Sequence, residues 1–333
     1  MNPAGASRPG MRTGALSCSL IGRNPCVTSG PLLSRPGVPL AGSAIFRRPG
    51  SVLGAVIVLS TILLALFSVE FGEARRSLLS RYLITYGPNE EDTRIESPPA
   101  PPGGQHLLGT DIQRYDFFSR LLHGARISVQ VGLTAEAIAL VLGICIGALA
   151  GFYGRWIDAV LMRTADILLA FPQLILAMAA IAVFDTRSIT LVFVVLGLMG
   201  WAGIARLVRA QCLSIRERGY PEAAVGRGAG DLRMILRHLL PNALAPALVA
   251  ACVGVAGNIL TEAWLSFLGL GVQPPAVSWG RMIVDGQSYL TTQWWLCVTP
   301  GIALAVTVLG FILLADGLRD ALDPRARMAT HTS

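Results

Sequence analysis

The sequence predicts an all-α polytopic membrane protein of six transmembrane helices. Three observations predict it. Of 333 residues, 53% are hydrophobic and only 14% charged, whereas a soluble domain carries about 25% charged residues to wet its surface. The apolar residues gather in six runs of roughly twenty, the length that crosses a bilayer core. Prolines and glycines sit inside those runs, as bundles permit where neighbouring helices re-satisfy the backbone.

Taken in order, residues 1–46 are rich in Gly, Pro, Ser and Arg and hold no acidic residue. They cannot build a core and are expected to form a disordered cytoplasmic tail. No short apolar stretch with a small-residue cleavage site follows the N-terminus, so a signal peptide is not expected, and Met11 offers a second start. Arg47 and Arg48 lead into the first span, Ser51–Val69, and residues 47–126 comprise that span and an external loop. Pro98, Pro99, Pro101 and Pro102 give the loop an extended character. The next spans are Ile127–Phe152, Ala165–Phe184, Ser188–Leu207, Ala243–Leu270 and Trp294–Ala315, with a tight hairpin at Asp185, Thr186 and Arg187. The membrane core is thus expected over residues 127–316, followed by a cytoplasmic tail at 317–333. The first span is expected to be a peripheral anchor.

Gly143, Gly147 and Gly151 form a small-residue ladder on one face of the second span, and Gly197, Gly200 and Gly203 lie in the fourth. Such ladders let backbones approach closely. Pro172, Pro246 and Pro300 lie in or at the edge of spans, either as ordinary packing kinks or as a gating hinge. With both termini inside, the inner segments hold eighteen arginines and the outer ones nine, which favours that orientation.

The net charge is +7, and every basic residue is arginine. A P-loop requires a lysine to reach the terminal phosphates. This chain has none, so any ATP hydrolysis falls to another subunit. The arginines flank apolar runs, and no aromatic-basic module appears, which argues against nucleic acid. Six cysteines share no metal-like or disulfide-like spacing. Neither H-E-x-x-H nor G-x-S-x-G occurs, so nothing points to an enzyme or to a bound metal or cofactor.

The polar segment 205–242 is the most informative. Pro221 suits a first helical position and Glu222 the positive helix end. Ala223, Ala224 and Val225 continue that helix, and Gly226, Gly228 and Gly230 break it. Asp231 is placed to cap a second helix, in which Leu232, Ile235, Leu236, Leu239 and Leu240 make one apolar stripe and Pro241 a stop. This is either a docking lever for a cytosolic partner or an interfacial loop without one.

Glu222-Ala223-Ala224, Gly228, Ile235 and His238-Leu239-Leu240-Pro241 resemble the EAA loop of ABC importer permeases. Leu108-Gly109-Thr110-Asp111, Asp166 to Pro172, Leu265 to Pro275, Ser278-Trp279-Gly280 and Asp316 to Pro324 are similar to the C-type subunit of the dipeptide/oligopeptide branch, which also includes nickel importers. The resemblance covers residues 105–325. It implies that Glu222, Ala223, Ala224, Gly228, Ile235, Leu240 and Pro241, within a coupling segment 217–241, engage the ATPase. It also implies a homologous B-type permease, two cytosolic ABC ATPase subunits, an extracytoplasmic solute-binding protein, a peptide substrate, and residence in the bacterial inner membrane. ATP is used by the partners, and no cofactor is bound by this chain. Selectivity among dipeptides, oligopeptides and nickel chelates stays open, and a stand-alone secondary transporter is the reading from another class. The chain departs from the branch at Ile112-Gln113-Arg114-Tyr115-Asp116, where x-L-G-R-D is usual, and at Pro221.

Carboxylates inside spans are costly and need a reason. Glu262 matches a family glutamate and is expected either to line the translocation path or to bond a neighbouring helix. Glu136 sits where an apolar residue is expected, at a subunit interface or a wet cavity, and with Glu262 it is a candidate to line the translocation path. Asp166 and Asp316, near span ends, read as structural.

Overall fold

A computed structural model describes residues 49–73, 86–95, 97–104, 106–184, 188–216 and 230–322. The expected tails and the 185–187 hairpin lie outside these residues, apart from the helical stretch up to Leu322.

Helix α1 is Pro49–Glu73. Helix α2, Phe117–Tyr153, begins ten residues before the expected second span because Asp116 caps it, accepting from the Ser119 N–H at 2.8 Å. Its first turns carry Arg120, buried against Asp111. A paired arginine lets a helix continue where hydropathy alone would end it. The helix stops at Gly154, where φ is 63°.

The third expected span, Ala165–Phe184, is not one helix. Helices α3 (Arg155–Ala170) and α4 (Gln173–Val183) meet at 92°. Pro172 lacks an N–H, and a residue before proline is pushed out of the helical region. Phe171 accordingly adopts φ −98° and ψ 141°.

Helix α5, Ile189–Arg216, runs nine residues past the expected fourth span. The arginines that mark its polar end are engaged: Arg206 pairs with Asp166, and Arg209 with Asp158. Arg216 donates to the Gly151 and Phe152 carbonyls at the end of α2.

Pro241 was expected to separate an amphipathic helix from the fifth span, and it does not. Helix α6 (Asp231–Met234) passes through a π turn (Ile235–Leu239) into α7 (Leu240–Phe267) without a break. A proline crowds the carbonyl four residues back, here that of Arg237, and the wider π turn gives it room. The π turn also splits the expected apolar stripe: Leu239 is buried, whereas Leu232 and Leu236 are exposed. Asp231 is the first helical residue rather than the cap, a place taken by extended Gly230.

A short helix α8 (Trp279–Gly286) follows, and then α9 (Trp295–Leu322), which includes the Asp316–Leu322 motif. Helix α2 is central. Its ladder lies on α5: a Cβ at Gly143 would fall 2.6 Å from Ile204 Cβ, and one at Gly147 2.5 Å from the Ala205 oxygen. The rising numbers on both sides show that α2 and α5 run parallel. On another face, Gly132 meets Ile259, and Glu136 meets Gly254, so α7 runs antiparallel to α2. Helix α1 lies antiparallel along α9, with Ser51 beside Gly317 and Gly54 beside Gly310. The exterior is apolar: Leu59, Leu66, Trp156, Ile175 and Val183 are exposed. Among the described residues, five helices are long and apolar enough to cross a membrane, and the bent α3–α4 pair brings the number to six if it is one span. The expected all-α polytopic class holds, with the third span broken.

Candidate functional site

Of the expected coupling residues, Glu222, Ala223, Ala224 and Gly228 lie outside the described residues, as does Pro221. Their flanks are visible. On one side α5 ends at Arg216, bonded to the end of α2. On the other, α6, the π turn and α7 form one rod from Asp231 to Phe267, about 55 Å long at 1.5 Å per residue. Ile235 and Leu240 are half-buried and Pro241 is exposed. Met234 and Leu239 are the residues that seat the rod's base, packing with Val208, Cys212 and Ala243.

The two in-span glutamates are both closed inside the chain. Glu136 is 6% exposed, and its Oε2 accepts from Asn258 Nδ2 at 3.0 Å. Gly254 is what makes room for it, since a Cβ there would lie 2.2 Å from Oε2. An acid in one span calls for a polar partner in another, and Asn258, isolated in an apolar run, was the readable signal. Glu262 is 0% exposed; its Oε1 accepts from the Ser266 and Ser278 hydroxyls at 2.7 and 2.8 Å. Ser266 sits one helical turn away, but Ser278 comes from beyond a loop, which spacing alone does not foretell. Asp166 is paired, as a structural residue would be, and Asp316 is exposed.

At the end of the bundle where α2 begins, the described residues 86–95, 97–104 and 106–116 form a compact clasp. Gly109 has φ 76°, and a Cβ there would fall 2.3 Å from the Ala100 oxygen. Thr110, fully buried, exchanges hydrogen bonds with the Ala100 backbone. Asp111 Oδ1 accepts from the Gln113 and Tyr115 N–H groups. His106 lies between Asp116, at 2.8 Å from Nδ1, and Asp92, at 3.3 Å from Nε2. The Asp92 carboxyl is held below the usual range, chiefly by the Arg94 backbone N–H and then by His106, against its burial. Asn89 donates to the Pro275 oxygen, joining the clasp to the segment before α8. Burial pushes the Asp285 carboxyl of α8 up, against the pull of Arg281.

The departure at 112–116 now has a physical form. Arg114 occupies a left-handed conformation, φ 63°, which is the conformation glycine takes most easily. Its side chain is tied to Glu91 at 3.2 Å. Tyr115 places its ring 5.0 Å from the Arg120 guanidinium, a cation–π contact.

An apolar-faced helical bundle with buried, bonded acids, a broken span and a long helix leading from a polar segment defines a polytopic membrane protein. Residues 143–328 match the family described as the binding-protein-dependent transport system inner membrane component, and the chain belongs to that family. Among its relatives, a protein named a putative peptide transport system permease from Brucella suis is 38% identical over 92% of this chain and 98% of its own. A dipeptide transport system permease, DppC, of Alkalihalophilus pseudofirmus is 38% identical over 83% of this chain and 86% of its own. An oligopeptide transport system permease, OppC, of Bacillus subtilis is 36% identical over the same shares. The resemblance to ABC importer permeases of the peptide branch is thereby met.

Proposed function

We propose that this chain is the permease subunit of an ATP-driven importer of dipeptides or oligopeptides, forming half of the translocation path. The observation that carries the peptide reading is the 38% identity, along 92% of the chain, to a protein named for peptide transport. The inner-membrane setting, with the starts of α1 and α7 cytoplasmic, follows the arginine bias. In this reading a solute-binding protein delivers peptide to the end that carries the clasp, and a B-type permease supplies the other half of the path. Two ABC ATPases dock at Glu222–Gly228 and consume the ATP, and this chain binds no cofactor. ATPase closure shifts the permease between two states only if docking differs between them, and the rod gives that difference a way across the membrane. Glu136 and Glu262, closed inside the chain, act by joining helices rather than by lining the path.

The test is uptake of labelled di-, tri- and pentapeptides in a deletion strain carrying the wild-type gene or a Gly228→Trp variant. The wild-type gene restores peptide uptake, and the variant inserts but does not. Unchanged peptide uptake in the deletion strain, with lowered nickel accumulation, overturns the peptide reading. Normal uptake with Gly228→Trp overturns the coupling assignment.

A further inference from the structure

Glu262 is a carboxylate with no exposure, one oxygen bonded to two serine hydroxyls and the other, Oε2, without a partner among the described residues. Burying such a group is unfavourable unless something holds it. A leucine of similar volume would fill the space at lower cost, so the bonds themselves are the reason to look further. Their distribution is informative. Ser266 belongs to α7, as does Glu262. Ser278 is the cap of α8: its hydroxyl donates to Glu262 and accepts from the Arg281 N–H at 3.1 Å.

Helix α8 is otherwise seated by Trp279 and Met282, buried in one core cluster with Ile259 and Leu296, and by backbone proximity. Gly280 lies on α7, where a Cβ would come 2.6 Å from Ala263 Cα. Gly286 lies on α9, where a Cβ would come 2.8 Å from the Leu296 carbonyl carbon. Two bonds reach α2: Trp279 N–H to Ser128 Oγ at 3.1 Å, and Trp279 Nε1 to the Leu121 oxygen at 2.9 Å. Among the side chains around the start of α8, Glu262 is the one that ties its cap to the rod.

We infer that Glu262, braced by Ser266 within α7, is a positioning residue that fastens α8 to the far end of the α6–α7 rod through Ser278, so that α8 moves with the rod. The rod begins beside the coupling segment and ends at α8 without a helical break. A displacement at Asp231 therefore reaches Phe267, and the tie carries it one element further, to the side of the bundle where the clasp lies. Without the tie, the close approach of Gly280 to Ala263 is what remains between α8 and the rod, and the α2 and α9 contacts hold α8 back when the rod moves. The inference rests on the importer reading for the source of that displacement, while the tie itself is a property of this chain.

The experiment uses the full chain co-purified with its partner subunits from its host and placed in lipid nanodiscs. Hydrogen exchange is followed by mass spectrometry for wild type, Glu262→Leu, Ser278→Ala and Glu262→Gln, and peptide uptake and ATP hydrolysis are measured in parallel. Glu262→Leu and Ser278→Ala are expected to raise exchange over residues 279–286 at least tenfold, with residues 243–258 unchanged. Uptake falls at least fivefold while ATP hydrolysis continues. Glu262→Gln keeps an oxygen that accepts both hydroxyls, and its amide nitrogen replaces the unpartnered Oε2. It stays within twofold of wild type in exchange and uptake. If Glu262→Leu fails to insert, Ser278→Ala carries the comparison. Exchange over 279–286 within twofold of wild type in Ser278→Ala overturns the tie. Glu262→Gln that keeps α8 protected yet loses uptake as fully as Glu262→Leu also overturns it, because charge rather than fastening is then what matters. Failure of the importer reading shows elsewhere, as absence of ATP-dependent peptide uptake by the wild-type complex, and the exchange result still decides the tie.

Discussion

Replacing Gly147 by alanine tests the parallel seam between α2 and α5. The added methyl would lie 2.5 Å from the Ala205 oxygen and 2.8 Å from Val208 Cβ. Comfortable contacts between heavy atoms begin near 3.5 Å, so the two helices must part by about 1 Å along that stretch. Forcing a methyl into a packed interior costs roughly 1–3 kcal/mol, and alanine returns up to about 1 kcal/mol because it is the better helix former. The net expectation is a loss of up to about 2.5 kcal/mol, centred near 1 kcal/mol. Gly203 on α5 is the control, because a Cβ there meets nothing within 4 Å. Thermal unfolding in mild detergent, followed by size-exclusion fluorescence, is the assay. Gly147→Ala should melt a few degrees below wild type, and Gly203→Ala at or above it. A Gly147→Ala protein as stable as wild type would show that backbone proximity does not hold this seam.

Three further outcomes are expected. Asn258→Leu leaves Glu136 buried without its donor and should cost about 1–3 kcal/mol, most of it recovered in the Glu136→Leu/Asn258→Leu double variant; additive losses in a double-mutant cycle would refute the pairing. Arg114→Gly removes a left-handed strain of about 1–2 kcal/mol, whereas Arg114→Ala keeps the strain and loses the Glu91 contact, so melting temperatures should rank Gly at or above wild type and wild type above Ala. The lowered Asp92 value means that its contribution to the clasp is complete above the ordinary aspartate value of about 3.9 and is lost as pH falls through the lower folded value. Hydrogen exchange over residues 106–116, corrected for intrinsic rates, should therefore stay flat from pH 8 to 5 and rise only below about 4.

The spans were legible because a bilayer demands about twenty apolar residues at each crossing, and nothing else in the chain imitates that. Helix ends were less legible. Hydropathy places the end of the fourth span near Leu207, but the helix continues to Arg216 because acids from α3 and carbonyls from α2 meet its arginines. The Phe171-Pro172 dipeptide was visible, yet how far a proline bends a span depends on what packs beside it. The Pro241 stop failed for the converse reason: a π turn absorbed the ring. Gly197, Gly200 and Gly203 look alike in sequence. In space Gly197 touches Ile138, Gly200 lies beside Ala139, and Gly203 meets nothing. Of the buried acids, Glu136 and Glu262 were readable as anomalies, but their partners Asn258 and Ser278 became visible only once the helices were side by side.

The parallel course of α2 and α5 fixes the parity of the chain. Two neighbouring helices that point the same way can be joined only by a segment that makes the return journey. The stretch between Gly154 and Ile189 must therefore traverse the bundle once, and the bent α3–α4 pair is that traverse. Six traverses are an even number, which agrees with Ser51 lying beside Gly317. A compartment-sensitive reporter fused before α1 must therefore agree with one fused after α9. Any variant that made the two disagree would have gained or lost a whole crossing.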